Sequence, residues 1–144
     1  MNKKLDKLDK EITCWMKEHG TNFLRYSLAA VFIWFGILKP LNLSPASQLV
    51  TKTVYWFDPS WFVPLLGWWE VAIGLCLLYK PLIRTGLFLM AVQMIGTFLP
   101  LIILPDVVYG ANFFDLTLEG QYVVKNLVLI GAGMVIASHV RDRC

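Results

Sequence analysis

The chain has 144 residues, 57% hydrophobic and 16% charged, with a net charge of +3 and a mean hydropathy of +0.59. That length fits one domain, and a soluble domain of this size needs more polar surface. No basic patch interleaves with aromatics on a polar face, so a nucleic-acid partner is not expected.

Residues 1–20 do not read as a signal peptide, because Lys alternates with Asp and Glu where an apolar core would stand. Leu5, Leu8, Ile12, Trp15, Met16 and His19 recur at helical spacing opposite a Lys-rich side. This predicts an amphipathic helix along the membrane surface; packing on the bundle end or on a partner is the alternative. Gly20 is the expected stop, giving His19 a helix-end role. The rest, 21–144, reads as a four-span domain with spans at about 22–39, 61–79, 82–104 and 119–138. The fold class is all-α: an integral membrane four-helix bundle with an N-terminal amphipathic interfacial helix.

Span one sets Phe32, Gly36 and Lys39 on one face at i, i+4, i+7, while Arg25 is expected to snorkel to the interface. The 40–60 connection holds three prolines, and Val50 to Phe57 within it suggests a short interfacial helix or re-entrant piece. Tyr55, Trp56, Phe57, Trp61 and Phe62 form an aromatic belt there. Span two has Pro64 in its first turn, where proline is tolerated. It carries Gly67-Trp68-Trp69-Glu70-Val71-Ala72-Ile73-Gly74 and ends at the turn Tyr79-Lys80-Pro81. Span three bears the stripe Gly86, Met90, Gln93, Thr97, Pro100, and Pro100 and Pro105 bend or end it. Span four repeats the pattern with Glu119, Tyr122, Asn126 and Gly133, with Lys125 beside them. Gly131 and Gly133 are small enough for close packing within one bundle or in a homodimer.

Glu70 organises the rest. A carboxylate at mid-span costs roughly 2.5–3.5 kcal/mol on insertion scales, so it normally faces the bundle interior and has a partner. Gly67 at i−3 and Gly74 at i+4 share its face and leave room for another helix. By helical rise, Glu70, Lys39, Gln93, Lys125 and Asn126 converge in the non-cytoplasmic half of one bundle, with Glu70 paired to Lys125 or Lys39. Two readings stay open. One is polar glue between helices. The other is a small site lined by Trp68, Trp69 and Tyr122, suited to an aromatic head group with oxygen acceptors such as a quinone, with Glu70 exchanging a proton.

Ten of the thirteen Lys and Arg residues lie in the N-terminal segment through Arg25, the 79–84 turn and the C-terminal tail. Only Lys39, Lys52 and Lys125 lie at the other end, so the positive-inside rule puts both termini in the cytoplasm. Cys14, Cys76 and Cys144 form no CxxC pair, and Cys76 reads as a packing residue. Both histidines fall outside the spans, so haem, di-iron and other metal sites are not expected. Phosphate loops, nucleophile elbows and a nucleophile–base–acid set are missing too, so an independent catalyst is not expected.

Three pieces together resemble the DoxX-like superfamily of small four-span bacterial membrane proteins across about 22–138. They are Arg25 followed by Phe32-Ile33-Trp34-Phe35-Gly36-Ile37-Leu38-Lys39-Pro40, the Gly67–Gly74 stretch, and Gly120-Gln121-Tyr122-Val123-Val124-Lys125-Asn126-Leu127. The resemblance implies a location in the bacterial inner membrane. It further implies a membrane subunit of a quinone-linked oxidoreductase, thiosulfate:quinone types included, or an accessory in oxidative-stress defence; a distant branch looks like secretory cargo receptors. The expectation is a quinone- or lipophilic-ligand-binding subunit, with a redox protein partner and ligand residues Lys39, Trp69, Glu70, Gln93, Tyr122, Lys125 and Asn126. The alternatives are a structural or assembly protein without a ligand and a dimeric small-solute carrier.

Overall fold

The computed structural model of the chain describes residues 3–141, with the side chains of 4–140. Helix dominates because long apolar runs have to satisfy their backbone groups internally in lipid. The helices are α1 (Lys3–Leu38), α2 (Ser47–Thr53), α3 (Pro59–Leu78), α4 (Ile83–Phe98), α5 (Pro100–Ile103), α6 (Pro105–Val108), α7 (Leu118–Val124) and α8 (Asn126–Arg141). A 3₁₀ turn at Lys80–Leu82 joins α3 to α4. Four stretches are long and apolar enough to cross a membrane: Lys4–Leu38, Pro59–Leu78, Lys80–Ile103 and Leu118–Val140. The protein is a multi-pass membrane protein built as an all-α bundle. Phe23, Trp34, Phe88, Ile95, Val128 and Met134 project outward from it, as lipid-facing side chains do.

The four long elements form a ring in which α1 packs on α3, α3 on α4, and α8 closes against α4 and α1. Leu28, Ala29 and Phe32 of α1 meet Ile73 and Leu77 of α3, Met90 and Met94 of α4, and Ile136 of α8 in one core. Glycines set the α1–α3 distance. A methyl group on Gly36 would lie 2.7 Å from the Gly67 carbonyl oxygen, and one on Gly67 would lie 2.5 Å from the Gly36 carbonyl oxygen and 2.8 Å from Lys39 Cβ. Two turns further along α3, a methyl on Gly74 would lie 2.8 Å from the Ala29 carbonyl oxygen. The two backbones touch, as small residues permit in membrane helices. Cys76 packs at the α3–α4 contact, where a methyl on Gly86 would lie 2.9 Å from its Cβ.

Several boundaries differ from the sequence expectations. Gly20 does not stop the first helix; α1 runs through it as one element. A glycine stop uses a left-handed backbone, and no described glycine has positive φ. At about 1.5 Å per residue α1 is roughly 54 Å long, far more than the hydrocarbon layer of about 30 Å. Its first half stands clear of the bundle, with Leu5, Leu8, Ile12, Trp15 and Met16 exposed. His19 caps no helix end and instead stacks on Trp15 at 5.0 Å.

The short helix in the first loop covers Ser47–Thr53 instead of Val50–Phe57. Thr51 and Thr53 hydroxyls donate to the carbonyls of Ser47 and Leu49 at 2.9 and 2.6 Å. Tyr55, Trp56 and Phe57 follow it and join Trp61 and Phe62 in a ring cluster, with Phe57 stacked on Phe62 at 5.1 Å. Asp58 caps α3 by accepting from the Ser60 N–H at 2.9 Å. Because α3 starts at Pro59, Pro64 falls inside the helix rather than in its first turn, and its missing N–H leaves the Ser60 carbonyl without an i+4 donor. Pro100 interrupts span three as expected, after Leu99. Span four divides at Lys125 into α7 and α8. Thr117 ties the second loop to α7: its hydroxyl donates to the Val107 and Val108 carbonyls and accepts from the Gly120 N–H.

Candidate functional site

The polar atoms of the bundle gather where the α1 exit meets the middle of α3 and α4. Beyond Leu38 the chain turns: Lys39 N–H donates to the Gly36 carbonyl at 3.3 Å, and Leu43 N–H to the Leu38 carbonyl at 2.9 Å. Asn42 takes the positive φ of 57° that the turn requires, a conformation asparagine tolerates. The turn leaves Lys39 beside α3, where Gly67 allows the approach, and its ammonium donates to Glu70 Oε2. The Glu70 Oε1 accepts from Gln93 Nε2 of α4. Lys39 is 5% exposed and Glu70 8%, so the pair is shielded from solvent. Both carboxylate oxygens are engaged.

Gln93 orients the cluster. Only the amide nitrogen can donate to a carboxylate, so Oε1 has to point elsewhere, and it is buried without a hydrogen-bond partner. A buried acceptor left unmade carries a desolvation penalty of about 1–3 kcal/mol. Thr97 does not relieve it, because its hydroxyl donates to the Gln93 main-chain carbonyl at 3.0 Å. Met90 and Met94, which flank Gln93 on α4, line an apolar groove of about 470 Å³ against Ile130, Gly133 and Met134 of α8.

The other residues expected at this site lie apart from it. The Lys125 ammonium sits 4.1 Å from the Tyr122 ring centroid and 5.5 Å from that of Phe35, held over aromatic faces instead of pairing with Glu70. Asn126 turns back on its own helix, donating to the Tyr122 carbonyl at 2.9 Å. Trp68, Trp69 and Tyr122 are 60%, 37% and 38% exposed, so each contributes to the outer surface. Gly133 packs within the bundle against Met90, whereas Gly131 faces open space.

Arg25 also departs from expectation: it is 4% exposed rather than extended to the interface. Its guanidinium lies 4.7 Å from the Tyr26 ring centroid, and its Nε has no hydrogen-bond partner. Its position one turn inside a span was the available signal, since a charge there either snorkels or faces inward. No group of three or more His, Cys, Asp or Glu side chains suited to a metal occurs among the described residues. Comparison with protein-family models, curated proteins and solved structures returns no match.

Proposed function

We propose that the protein is a membrane subunit that binds a lipophilic small molecule with a hydroxylated head group, of the hydroquinone class, at the Lys39–Glu70–Gln93 cluster. The observation that carries this reading is the buried, partnerless Gln93 Oε1. It is an acceptor, so it selects a ligand that brings an O–H; the sequence alone had suggested a ligand with acceptors. A lysine ammonium has three donors and Lys39 spends one on Glu70, leaving donors for a second oxygen of the same ring. The groove lined by Met90 and Met94, three residues before and one after Gln93 on α4, suits an apolar tail, because thioether side chains adapt to irregular shapes. In this reading Glu70 takes up or returns the proton of the bound head group, and electrons pass to or from a redox partner. The resemblance to DoxX-like proteins and their quinone-linked relatives points the same way.

The test is binding of a short-tailed hydroquinone and its oxidised quinone to protein in neutral-lipid nanodiscs. Satisfying a buried acceptor favours the reduced form by about tenfold or more, and Gln93→Leu removes that preference. Equal affinity for the two forms, or a preference that survives Gln93→Leu, would sink the proposal. One observation favours a second reading, an assembly protein without a ligand: both Glu70 oxygens are already occupied. On that reading neither form binds.

A further inference from the structure

A second polar site lies at the opposite end of the bundle, independent of the Glu70 cluster. Arg25 and Lys39 are 14 residues apart on α1 and its exit turn, or about 21 Å along the axis. Around Arg25, α1, the 3₁₀ turn and the end of α8 enclose a pocket of about 180 Å³. Thr21, Asn22, Arg25, Lys80 and His139 supply its polar lining, and Ile136 is among the aliphatic side chains that wall it. No Asp or Glu lines it among the described residues. Glu18 is on the same face of α1 as Asn22 and Arg25, at i, i+4, i+7, but about 10 Å along the helix from Arg25.

Among the described residues no carboxylate in the lining balances the positive charges of this pocket. Arg25 is buried, its guanidinium rests beside the Tyr26 ring, and its Nε–H is unpartnered. A buried cation with an unmade donor is costly, and a guanidinium is shaped to meet the oxygens of a phosphate. Lys80 is exposed at the mouth, where a flexible ammonium adds a second positive charge. The His139 Nδ1 lies 3.0 Å from the Val135 carbonyl oxygen, which can only accept, so Nδ1 carries a proton; Nε2 donates to a phosphate oxygen when the ring is the imidazolium and both nitrogens bear protons. Asn22 and Thr21 add neutral donors. Basic pockets between membrane helices at the interface are the usual seat of anionic head groups.

We infer that the pocket of Arg25, Lys80 and His139 is a binding site for a phosphate group, the head group of an anionic phospholipid or free phosphate. Its size suits one phosphate with a small substituent, and its site at the end of the spans lies where head groups occur.

The test uses full-length protein purified in a neutral detergent, with the thermal midpoint followed during titration of phosphatidylglycerol, phosphatidylcholine or inorganic phosphate. Phosphatidylglycerol is expected to raise the midpoint saturably and phosphatidylcholine to leave it unchanged. Lys80→Gln, at an exposed position that the fold does not need, weakens the response about fivefold, in line with the contribution of one basic residue near a lipid surface. Lys52→Gln, in α2 at the other end, leaves it unaltered. Arg25→Lys keeps the charge but loses the fork and weakens binding further. Inorganic phosphate acting as well as the lipid assigns the site to the phosphate group whatever carries it, and a response to the lipid alone assigns it to the head group. No saturable response to either, or equal losses in Lys80→Gln and Lys52→Gln, would overturn the proposal.

Discussion

Removing the Lys39 ammonium strands a carboxylate in the middle of the bundle, and removing the Glu70 carboxylate strands a lysine. Either loss leaves one buried charge uncompensated, which destabilises by about 3–5 kcal/mol. Lys39→Met and Glu70→Met are therefore each expected to lower stability in detergent unfolding by that amount, whereas the double variant recovers most of it because no charge remains. A double variant as unstable as the sum of the singles would show that the two side chains do not act as a pair. Much of this was legible at residue level. An acid between Gly67 and Gly74 had to face another helix, and Lys39, on one face with Phe32 and Gly36, was one of two candidate partners. The choice between Lys39 and Lys125 was not legible, because it depends on how the chain turns after Leu38 and on the rings of Phe35 and Tyr122. Arg25 was misread for a related reason: snorkelling is the default for a span-end arginine, and only the closure of α8 over α1 buries it.

At the scale of elements, the glycines separate two kinds of contact. Gly36 and Gly67 hold α1 against α3 backbone to backbone, and a methyl on either meets a carbonyl oxygen at 2.7 Å or less. Gly67→Ala is expected to push the helices apart and lower stability by about 1–3 kcal/mol, the usual range for overpacking. Gly20 has nothing within 4 Å of the same hypothetical methyl and lies inside a continuous helix. Gly20→Ala should therefore gain up to about 1 kcal/mol and raise helicity by circular dichroism. A loss of helicity would restore the helix stop that the sequence suggested. The sequence misplaced this boundary because glycine followed by polar residues looks like a stop, while the apolar face simply carries on. The α3 cap gives a pH dependence. The Ser60 N–H and hydroxyl beside Asp58 hold its carboxyl below the usual carboxylate range. Its stabilisation is present above that range and is lost as pH falls through the lowered value. Asp58→Ala is expected to flatten the acid limb of the stability profile, and an unchanged limb would place the acid sensitivity elsewhere.

For the whole molecule, four crossings put both ends of the bundle's chain on one side, and the weight of Lys and Arg predicts that this side is the cytoplasm. Cys14, exposed on the projecting half of α1, is expected to resist a membrane-impermeant thiol reagent in intact cells, while a cysteine placed at Asn112 in the second loop reacts. Reaction at Cys14 would invert the orientation. The two polar sites then differ in side as well as in chemistry: a shielded acid–base cluster toward the loop end and a basic pocket at the end bearing the termini. The four-span plan came from the sequence because apolar length and charge bias are one-dimensional signals. The split of five expected site residues into a connected trio and an outlying pair was hidden, because it depends on rotation of α7 and α8 about their axes.

The most direct test of the Glu70 site is native mass spectrometry with lipid extraction on gently purified protein, comparing wild type with Glu70→Gln and Gln93→Leu. A hydroquinone or its quinone is expected to leave with the wild-type protein, to be weakened by Glu70→Gln, and to lose its reduced form preferentially in Gln93→Leu. Wild-type protein that retains its fold and carries no such molecule would contradict the ligand site and leave Lys39, Glu70 and Gln93 as a clasp between three helices.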